Sequence, residues 1–142
     1  MAFLEVKNVK KVYTTRFGTN KVEALKNVNF TAEKGEYLAI MGESGSGKTT
    51  LLNVLASIDK ASSGKIILNG KEMDTIKDKE LAQFRREHLG FVFQDFNLLD
   101  SFTLGENICL PLVLAGKKYP QIEPQLQEVA RKVNITELLG KY

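Results

Sequence analysis

The sequence is poor in cysteine and has no long apolar run. A single cysteine, Cys109, excludes an intrachain disulfide, and this fits a reducing cytosol. Because Cys109 stands between Ile108 and Leu110, we expect a small buried side chain rather than a reactive thiol. No apolar run approaches the roughly 18 residues that span a bilayer, and residues 3–7 alternate apolar and charged side chains, unlike a signal peptide. The sequence therefore predicts a soluble, cytoplasmic chain.

Concentrated charge is also lacking. The 20 Lys and Arg residues are interleaved with 17 Asp and Glu residues, and the net charge is only +3. Nucleic-acid-binding domains usually carry a basic patch or stripe, so no nucleic-acid partner is expected. The one histidine, His88, falls at a predicted helix end and is given no catalytic role. With 43% hydrophobic residues, the 142 residues suffice for one ordinary domain with one core.

Glycine, in contrast, is concentrated in one motif. Residues 42–50 read Gly-Glu-Ser-Gly-Ser-Gly-Lys-Thr-Thr, between an apolar run at 37–41 and a helix-forming run that starts at Leu51. A strand, a glycine-rich loop and a helix start form the setting in which G-x-x-x-x-G-K-[ST] binds nucleoside triphosphates. The glycines let successive N–H groups point at one anion, and the helix N-terminus adds partial positive charge. The sequence therefore predicts a phosphate-binding loop.

The motif gives each group of this loop a role. Lys48 is expected to reach the β- and γ-phosphates and to act in catalysis, and the Thr49 hydroxyl is expected to ligate Mg²⁺. The Glu43 side chain should turn outward, away from the bound anion. The residues expected to contact the nucleotide are Gly42, Glu43, Ser44, Gly45, Ser46, Gly47, Lys48, Thr49 and Thr50.

Hydrophobic periodicity predicts an α/β core up to Gln94. Strands are expected over 3–13, 22–32, 37–41 and 90–93, the first with the character of an edge strand and the last two buried, as in a parallel sheet. The loop between the first two strands carries the turn residues Gly18 and Asn20. An Asn-Gly turn at 69–70 predicts a hairpin of 65–68 with 71–73.

Two helices complete this predicted core. The helix that follows the glycine-rich loop should run from Lys48 to about Ile58 and bury one stripe, formed by Leu51, Leu52, Leu55 and Ile58. The second should span 78–88. Its inward residues are expected to be Leu81 and Phe84, and its outward residues Arg85 and Arg86.

The composition changes after Gln94. Residues 95–99 predict a loop with exposed apolar side chains, and Thr103 with Glu106 matches a capping box that starts a helix running to about Leu114. A linker over 116–120 and a short turn over 134–139 flank a helix over 124–133, whose inward residues are expected to be Leu126, Val129, Ala130 and Val133. We therefore expect an ATP-binding α/β core over 1–94 and the start of a helical subdomain over 95–142.

These motifs resemble the ATP-binding subunit of ABC transporters over essentially the whole chain. The loop 42–50 looks like the family's Walker A motif, and Gln94, at the end of the predicted strand 90–93, looks like its Q-loop. Tyr13 stands where an aromatic A-loop residue of the family stacks on adenine. The stretches 85–94 and 107–114 resemble one branch of this family, which comprises the subunits for lipoprotein release, macrolide export and peptide-antibiotic resistance.

The resemblance implies a P-loop NTPase fold of the α/β class, with an N-terminal antiparallel β region and a helical subdomain. It implies ATP and Mg²⁺ as ligands, with adenine on Tyr13 and Mg²⁺ on Thr49 and Gln94. An amide oxygen is a suitable hard ligand for Mg²⁺, and Gln94 would contact either that ion or the attacking water, as a second catalytic residue beside Lys48.

The implied partners are a transmembrane permease subunit and a second ATP-binding subunit in a head-to-tail dimer. The protein would then be peripheral on the inner face of the cell membrane. The apolar side chains after Gln94, those of Phe96, Leu98 and Leu99, have two open interpretations. They belong either to the core or to a contact with the permease.

Half of an ABC-type site is missing from the sequence. ATP hydrolysis needs an acidic residue after a further apolar strand, to hold Mg²⁺, and a general base for the attacking water. No further apolar strand with these residues follows Gln94, and no Ser-Gly-Gly-Gln signature follows it either. We therefore expect an N-terminal part, truncated before the signature motif, that binds ATP but is catalytically incomplete. Apolar sheet edges left open by the missing strands predict partial stability or self-association.

Two other functions fit the phosphate-binding loop less well. An ABC-type ATPase that acts on nucleic acid would insert long coiled coils near this point, and 98–133 shows no sustained heptads. A P-loop kinase for a small molecule is disfavoured by the Asn-Gly hairpin and by the strand that carries Tyr13.

Overall fold

The structure, a computed structural model, describes residues 2–15 and 20–142. It forms two compact units, one ending at Arg85 and one spanning Arg86–Tyr142. The predicted turn residue Gly18 lies outside the described residues. The division of the chain into 1–94 and 95–142, made on motifs and composition, stays a prediction.

A four-stranded antiparallel sheet is the scaffold of the first unit. Its strands are β1 (Leu4–Thr14), β2 (Lys21–Ala32), β3 (Ser63–Leu68) and β4 (Lys71–Glu72), in the order β2-β1-β3-β4. The predicted antiparallel β region is therefore confirmed, but β1 is a central strand and not an edge strand. Its lysines misled the prediction, because Lys7 and Lys10 lie on the solvent face of a strand that is paired on both sides.

A bulge in β1 brings two valines into the core. Asn8 has a φ of 52°, and the pairing with β2 shifts register between Val6 and Val9. Strict alternation would turn Val9 outward, yet both valines are almost completely buried because the extra residue restores the inward direction. The Asn8 backbone N–H donates to Asn29 Oδ1 at 2.8 Å, which holds the bulge against β2.

The hairpin of β3 and β4 turns at Asn69 and Gly70, as predicted. These two residues have φ values of 49° and 77°, and a two-residue turn with both φ positive matches the right-handed twist of the flanking strands. Next in the chain comes a 3₁₀ turn at Met73–Thr75.

Two segments predicted as buried strands are not strands. Residues 37–41 and 90–93 have no regular secondary structure in the described chain. Tyr37 is 95% exposed, Met41 88% and Val92 97%. The prediction assumed that each segment is a strand of a parallel sheet whose two faces are covered. All described strand pairs are antiparallel and none includes these residues, so nothing completes their backbone hydrogen bonds as strands.

Helix α1 (Lys48–Leu55) is shorter than predicted and buries only part of the predicted stripe. Ser57 adopts a φ of 55°, and the helix ends before it. The buried residues are Leu51 and Val54, whereas Leu52 and Ile58, both predicted inward, are exposed. Because Ile58 lies beyond the helix end, it could not extend the stripe.

Helix α2 (Asp78–His88) has the predicted bounds, with His88 at its end. Phe84 is buried and Leu81 is half-buried. Arg85 does not point outward as predicted, since its Nη1 donates to the backbone oxygen of Ser57 at 2.8 Å. A carbonyl freed by the left-handed end of α1 thus receives a charged donor. The buried apolar side chains of the first unit are Val6, Val9, Leu25, Leu51, Val54, Ala56, Ile66, Met73, Ile76 and Phe84.

The second unit contains α3 (Leu104–Leu114), α4 (Tyr119–Lys132) and a 3₁₀ turn at Thr136–Leu138. The capping box of α3 is confirmed: the Glu106 N–H donates to Thr103 Oγ1 at 3.3 Å, and the Thr103 N–H donates to Glu106 Oε2 at 2.7 Å. Residues 95–99 form an irregular stretch, as predicted. Its apolar residues Phe96, Leu98 and Leu99 are all exposed.

Helix α4 starts earlier than predicted, at Tyr119 rather than at Pro124. Pro120 was expected in a linker, but the first turn of a helix tolerates proline because its missing N–H would have no helical partner there. The earlier start adds Ile122 to the inward stripe. The buried residues are Ile122, Leu126 and Ala130, while Val129 and Val133, both predicted inward, are exposed.

Candidate nucleotide site

The glycine-rich loop folds as a tight turn that ends on α1. The Ser46 N–H donates to the Glu43 backbone oxygen at 3.2 Å. Gly45 and Gly47 have φ values of 79° and 93°, the left-handed region that only glycine adopts without strain. Glu43 is exposed, as expected for a side chain that turns outward.

The N-terminus of α1 is open to an anion. Gly47 is its N-cap residue and provides no side-chain cap. The Leu51 N–H donates to Gly47 O at 2.8 Å, so the N–H groups of Lys48, Thr49 and Thr50 precede the first helical hydrogen bond. They carry the positive end of the helix dipole and suit an acceptor such as a phosphate oxygen.

The Lys48 ammonium lies against the inside of this loop. Its Nζ donates to the backbone oxygens of Gly42 and Glu43 at 2.7 and 2.6 Å, and it lies 3.3 Å from Ser46 Oγ. Across 2–15 and 20–142, no carboxylate forms an ion pair with Lys48. The loop therefore carries a positive charge that no carboxylate of the described residues neutralises.

Strand β2 ties this loop to Tyr13. A Cβ at Gly47 would lie 2.5 Å from the carbonyl oxygen of Ala24, so α1 begins directly against β2. Tyr13 of β1 pairs with Val22 of β2. Val22 and Ala24 are two residues apart, about 7 Å along a strand. The first unit thus brings together the predicted adenine contact and the predicted phosphate contacts.

A cluster that the sequence did not predict holds Tyr13. Its hydroxyl donates to Asp59 Oδ2 at 2.8 Å. Lys11 Nζ lies 2.6 Å from Asp59 Oδ1 and 4.8 Å from the centroid of the Tyr13 ring. The hydrogen bond from Lys11 lowers the pKa of the Asp59 carboxyl against the opposing effect of burial, and the Tyr13 hydroxyl and Lys60 N–H lower it further.

The predicted ligands of Mg²⁺ fall in different units. Thr49 is exposed in the first turn of α1, and Gln94 is exposed in an irregular stretch of the second unit. Within the described ranges, no group of His, Cys, Asp and Glu side chains could hold a metal ion by itself. A hydroxyl and an amide are oxygen donors of the kind Mg²⁺ accepts beside phosphate oxygens and water. The donor set fits the ion, and the roles of Thr49 and Gln94 stay predictions.

Cys109 is half-buried on α3. Burial raises the pKa of its thiol, and the Glu123 carboxylate adds to the effect. A raised pKa disfavours the reactive thiolate, as expected from the sequence. The side chain is nevertheless half-buried and not buried as predicted.

Comparison with known sequences matches residues 25–141 to the family described as "ABC transporter". The bacitracin export ATP-binding protein BceA of Halalkalibacterium halodurans is 51% identical over all of this chain and 55% of its own length. The ABC transporter ATP-binding protein YxdL of Bacillus subtilis is 50% identical over 97% of this chain and 52% of its own length. The chain thus spans about half the length of these relatives.

More distant similarity extends to a macrolide export ATP-binding/permease protein, MacB of Mannheimia succiniciproducens, at 36% identity over 95% of this chain and 21% of that protein. Among solved structures, a dimeric ATP-binding cassette in a post-hydrolysis state, bound to ADP and Pi, matches with a TM-score of 0.87 and 34% identity. That match covers 98% of this chain and 60% of the solved one. In the described ranges, no helix has the length and apolar character needed to cross a membrane.

Proposed function

The chain belongs to the ABC transporter family, and from this premise we propose that it is the part of an ATP-binding subunit that holds the phosphates and the base of ATP. The Lys48 ammonium, which donates to loop oxygens at an uncapped helix N-terminus, is the observation that supports this most. A site with unneutralised positive charge and free N–H groups favours a polyanion. The open side of the loop is therefore the proposed place of the triphosphate.

Each residue of the site has a proposed task. The N–H groups of Gly45 and of 47–50 donate to phosphate oxygens, and Lys48 moves from the loop carbonyls to the β- and γ-phosphates. Thr49 holds Mg²⁺, which neutralises charge on the phosphate oxygens, and Gln94 contributes to the same ion or to the attacking water. Tyr13 stacks on adenine, which its partly exposed ring permits.

For the whole protein we propose that ATP binding and hydrolysis drive export through a transmembrane permease subunit. The names of two relatives, for bacitracin export and for a macrolide export ATP-binding/permease protein, support this direction. A matching cassette solved as a dimer supports a second ATP-binding subunit, here proposed to pair head to tail. The protein would then lie at the cytoplasmic face of the membrane that holds the permease.

The 142 residues alone are proposed to bind ATP and to hydrolyse little of it. Hydrolysis needs a carboxylate beside Mg²⁺ and a base for water, and no further apolar strand that ends in an acidic residue follows Gln94 in this sequence.

Titration with ATP and Mg²⁺ tests this function. Lys48→Ala should weaken ATP binding by about tenfold or more, because a hydrogen bond to a charged group contributes roughly 1.5–3 kcal/mol. The matched control is Lys34→Ala, which removes an exposed lysine from a turn of the same unit. It should leave the affinity within about twofold.

Equal ATP affinity in wild type and Lys48→Ala would contradict the assignment of the phosphate site. Phosphate release is measured on the same samples. Turnover by the 142-residue chain that Lys48→Ala abolishes would contradict its proposed catalytic incompleteness and leave the binding site intact.

A further inference from the structure

Tyr13 is fixed by two side chains that have no part in the function proposed so far. Asp59 lies in the connection between α1 and β3 and accepts the Tyr13 hydroxyl at 2.8 Å. Lys11 bridges Asp59 Oδ1 at 2.6 Å and also donates to the Lys60 backbone oxygen at 2.7 Å. The Lys60 N–H donates back to Asp59 at 2.7 Å. Every polar end of this cluster therefore has a partner, and the tyrosine ring is not free to change rotamer without breaking a hydrogen bond.

The residues of the cluster differ in exposure. The Lys11 side chain is only 11% exposed and that of Asp59 32% exposed, whereas Tyr13 is 42% exposed. Because Lys11 is largely covered, its attraction to Asp59 is screened less by salt than that of a fully exposed pair. Lys11 is thus the covered member of the cluster, and Tyr13 stays partly accessible.

Lys11 also makes the two faces of the ring unequal. Its ammonium lies over the ring, 4.8 Å from the centroid, which is a cation–π contact. A flat ligand cannot stack on a face that a side chain occupies. The face of the Tyr13 ring that Lys11 covers is therefore closed to a base, and a base that stacks on Tyr13 would use the opposite face.

We propose that Asp59, together with Lys11, is a positioning residue that fixes the Tyr13 ring as a one-sided stacking platform for the base of ATP. The proposal rests on the function proposed above. Asp59 touches neither the base nor the phosphates in this account. It acts by holding Tyr13 in the stacking orientation before ATP arrives, so that binding does not have to order the ring.

The test compares two ligands that differ in the base, ATP and inorganic tripolyphosphate, at one Mg²⁺ concentration. Asp59→Ala should weaken ATP binding about three- to tenfold, the range expected when one side chain must be ordered on binding. Binding of tripolyphosphate should change by less than about twofold, because it has no base to stack. The control Asp78→Ala removes the exposed partner of Lys60 in the same unit and should change neither affinity.

A second, milder variant keeps the test independent of folding defects. Tyr13→Phe retains the ring and removes only the hydroxyl that Asp59 accepts. It should reproduce the loss seen for ATP, and the double variant should lose no more than either single one, since both remove the same interaction. In a Tyr13→Ala background, Asp59→Ala should have no further effect on ATP binding.

The outcomes separate this proposal from the function beneath it. If Asp59→Ala weakens the binding of ATP and of tripolyphosphate alike, the cluster only stabilises the fold. The positioning role is then wrong, while phosphate binding stands. Unchanged ATP affinity in both Asp59→Ala and Tyr13→Phe would also overturn the positioning role. If the wild type binds neither ligand, the proposed function itself fails, and the positioning role falls with it.

Discussion

The carbonyl oxygen of Ala24 occupies the space that a side chain on Gly47 would need. A Cβ at Gly47 would lie 2.5 Å from that oxygen and 3.2 Å from Leu25 Cδ2. Glycine at this position therefore does more than permit a positive φ. It lets the N-cap residue of α1 lie directly against Ala24 of β2. That contact fixes the phosphate-binding loop beside the strand that pairs with Tyr13.

Gly47→Ala should destabilise the first unit more than Gly45→Ala. Both residues have positive φ, so each substitution costs about 1–2 kcal/mol for the left-handed backbone. Gly45 has no atom within 4 Å of a built Cβ, whereas Gly47 meets backbone. Overpacking should add about 1–3 kcal/mol at Gly47. The free energy of unfolding in urea measures both, and equal losses would contradict the close contact with Ala24.

Gly64→Ala should likewise cost more than Gly70→Ala. A Cβ at Gly64 would overlap the carbonyl of Asn8 in the β1 bulge, whereas one at Gly70 would meet nothing within 4 Å. Their φ values, 94° and 77°, give similar backbone strain. We expect an additional loss of about 1–3 kcal/mol for Gly64→Ala, measured by urea unfolding. A loss no larger than that of Gly70→Ala would show that the bulge does not need glycine beside it.

Thr103→Ala should weaken the start of α3. The Thr103 hydroxyl accepts the Glu106 N–H, and removal of such a cap costs about 1 kcal/mol. Thr103→Ser is the matched control, because serine keeps the hydroxyl and should retain most of the stability. Urea unfolding followed by helical circular dichroism measures the effect. A serine variant as unstable as the alanine variant would show that the hydroxyl is not the stabilising group.

Asp59 should make stability depend on pH in the acid range. Its pKa is lowered from 3.8 in the folded chain, chiefly by the hydrogen bond from Lys11. The unfolded chain therefore takes up the proton first as the pH falls. The stabilising contribution of Asp59 is complete above its unfolded pKa and is lost as the pH falls through the lower folded pKa.

Urea unfolding of wild type and Asp59→Asn between pH 6 and pH 3 measures this contribution. The stability difference should be constant near pH 6 and should shrink below about pH 4. A difference that grows as the pH falls would mean that the folded pKa is raised, which would contradict the ion pair with Lys11.

Local signals in the sequence predicted local structure well. The Thr103–Glu106 capping box, the Asn69-Gly70 turn and the bounds of α2 each depend on contacts a few residues apart, and the structure confirms all three. Residues 37–41 and 90–93 failed as strand predictions for a different reason. A strand forms its backbone hydrogen bonds with adjacent strands, and an apolar run does not reveal which adjacent strands the described chain provides.

In the candidate site, the phosphate role of the loop around Lys48 comes from its motif and the adenine role of Tyr13 from the family resemblance. Both roles stay predictions. The support of Tyr13 by Lys11 and Asp59 joins residues 48 and 46 positions apart, and no spacing rule connects them. The contact of Arg85 was missed for a related reason, since its partner is a single backbone carbonyl, that of Ser57, 28 positions away in the chain.

Backbone amide chemical shifts test the central claim most directly, because they report on the groups proposed to bind phosphate. On titration of the ¹⁵N-labelled chain with ATP and Mg²⁺, the largest changes should fall on Gly45, Gly47, Lys48, Thr49 and Thr50, with smaller ones near Tyr13. Lys48→Ala should need about tenfold more ATP for the same changes. Saturating ATP that leaves these loop amides unshifted, or that shifts a different surface instead, would contradict the account.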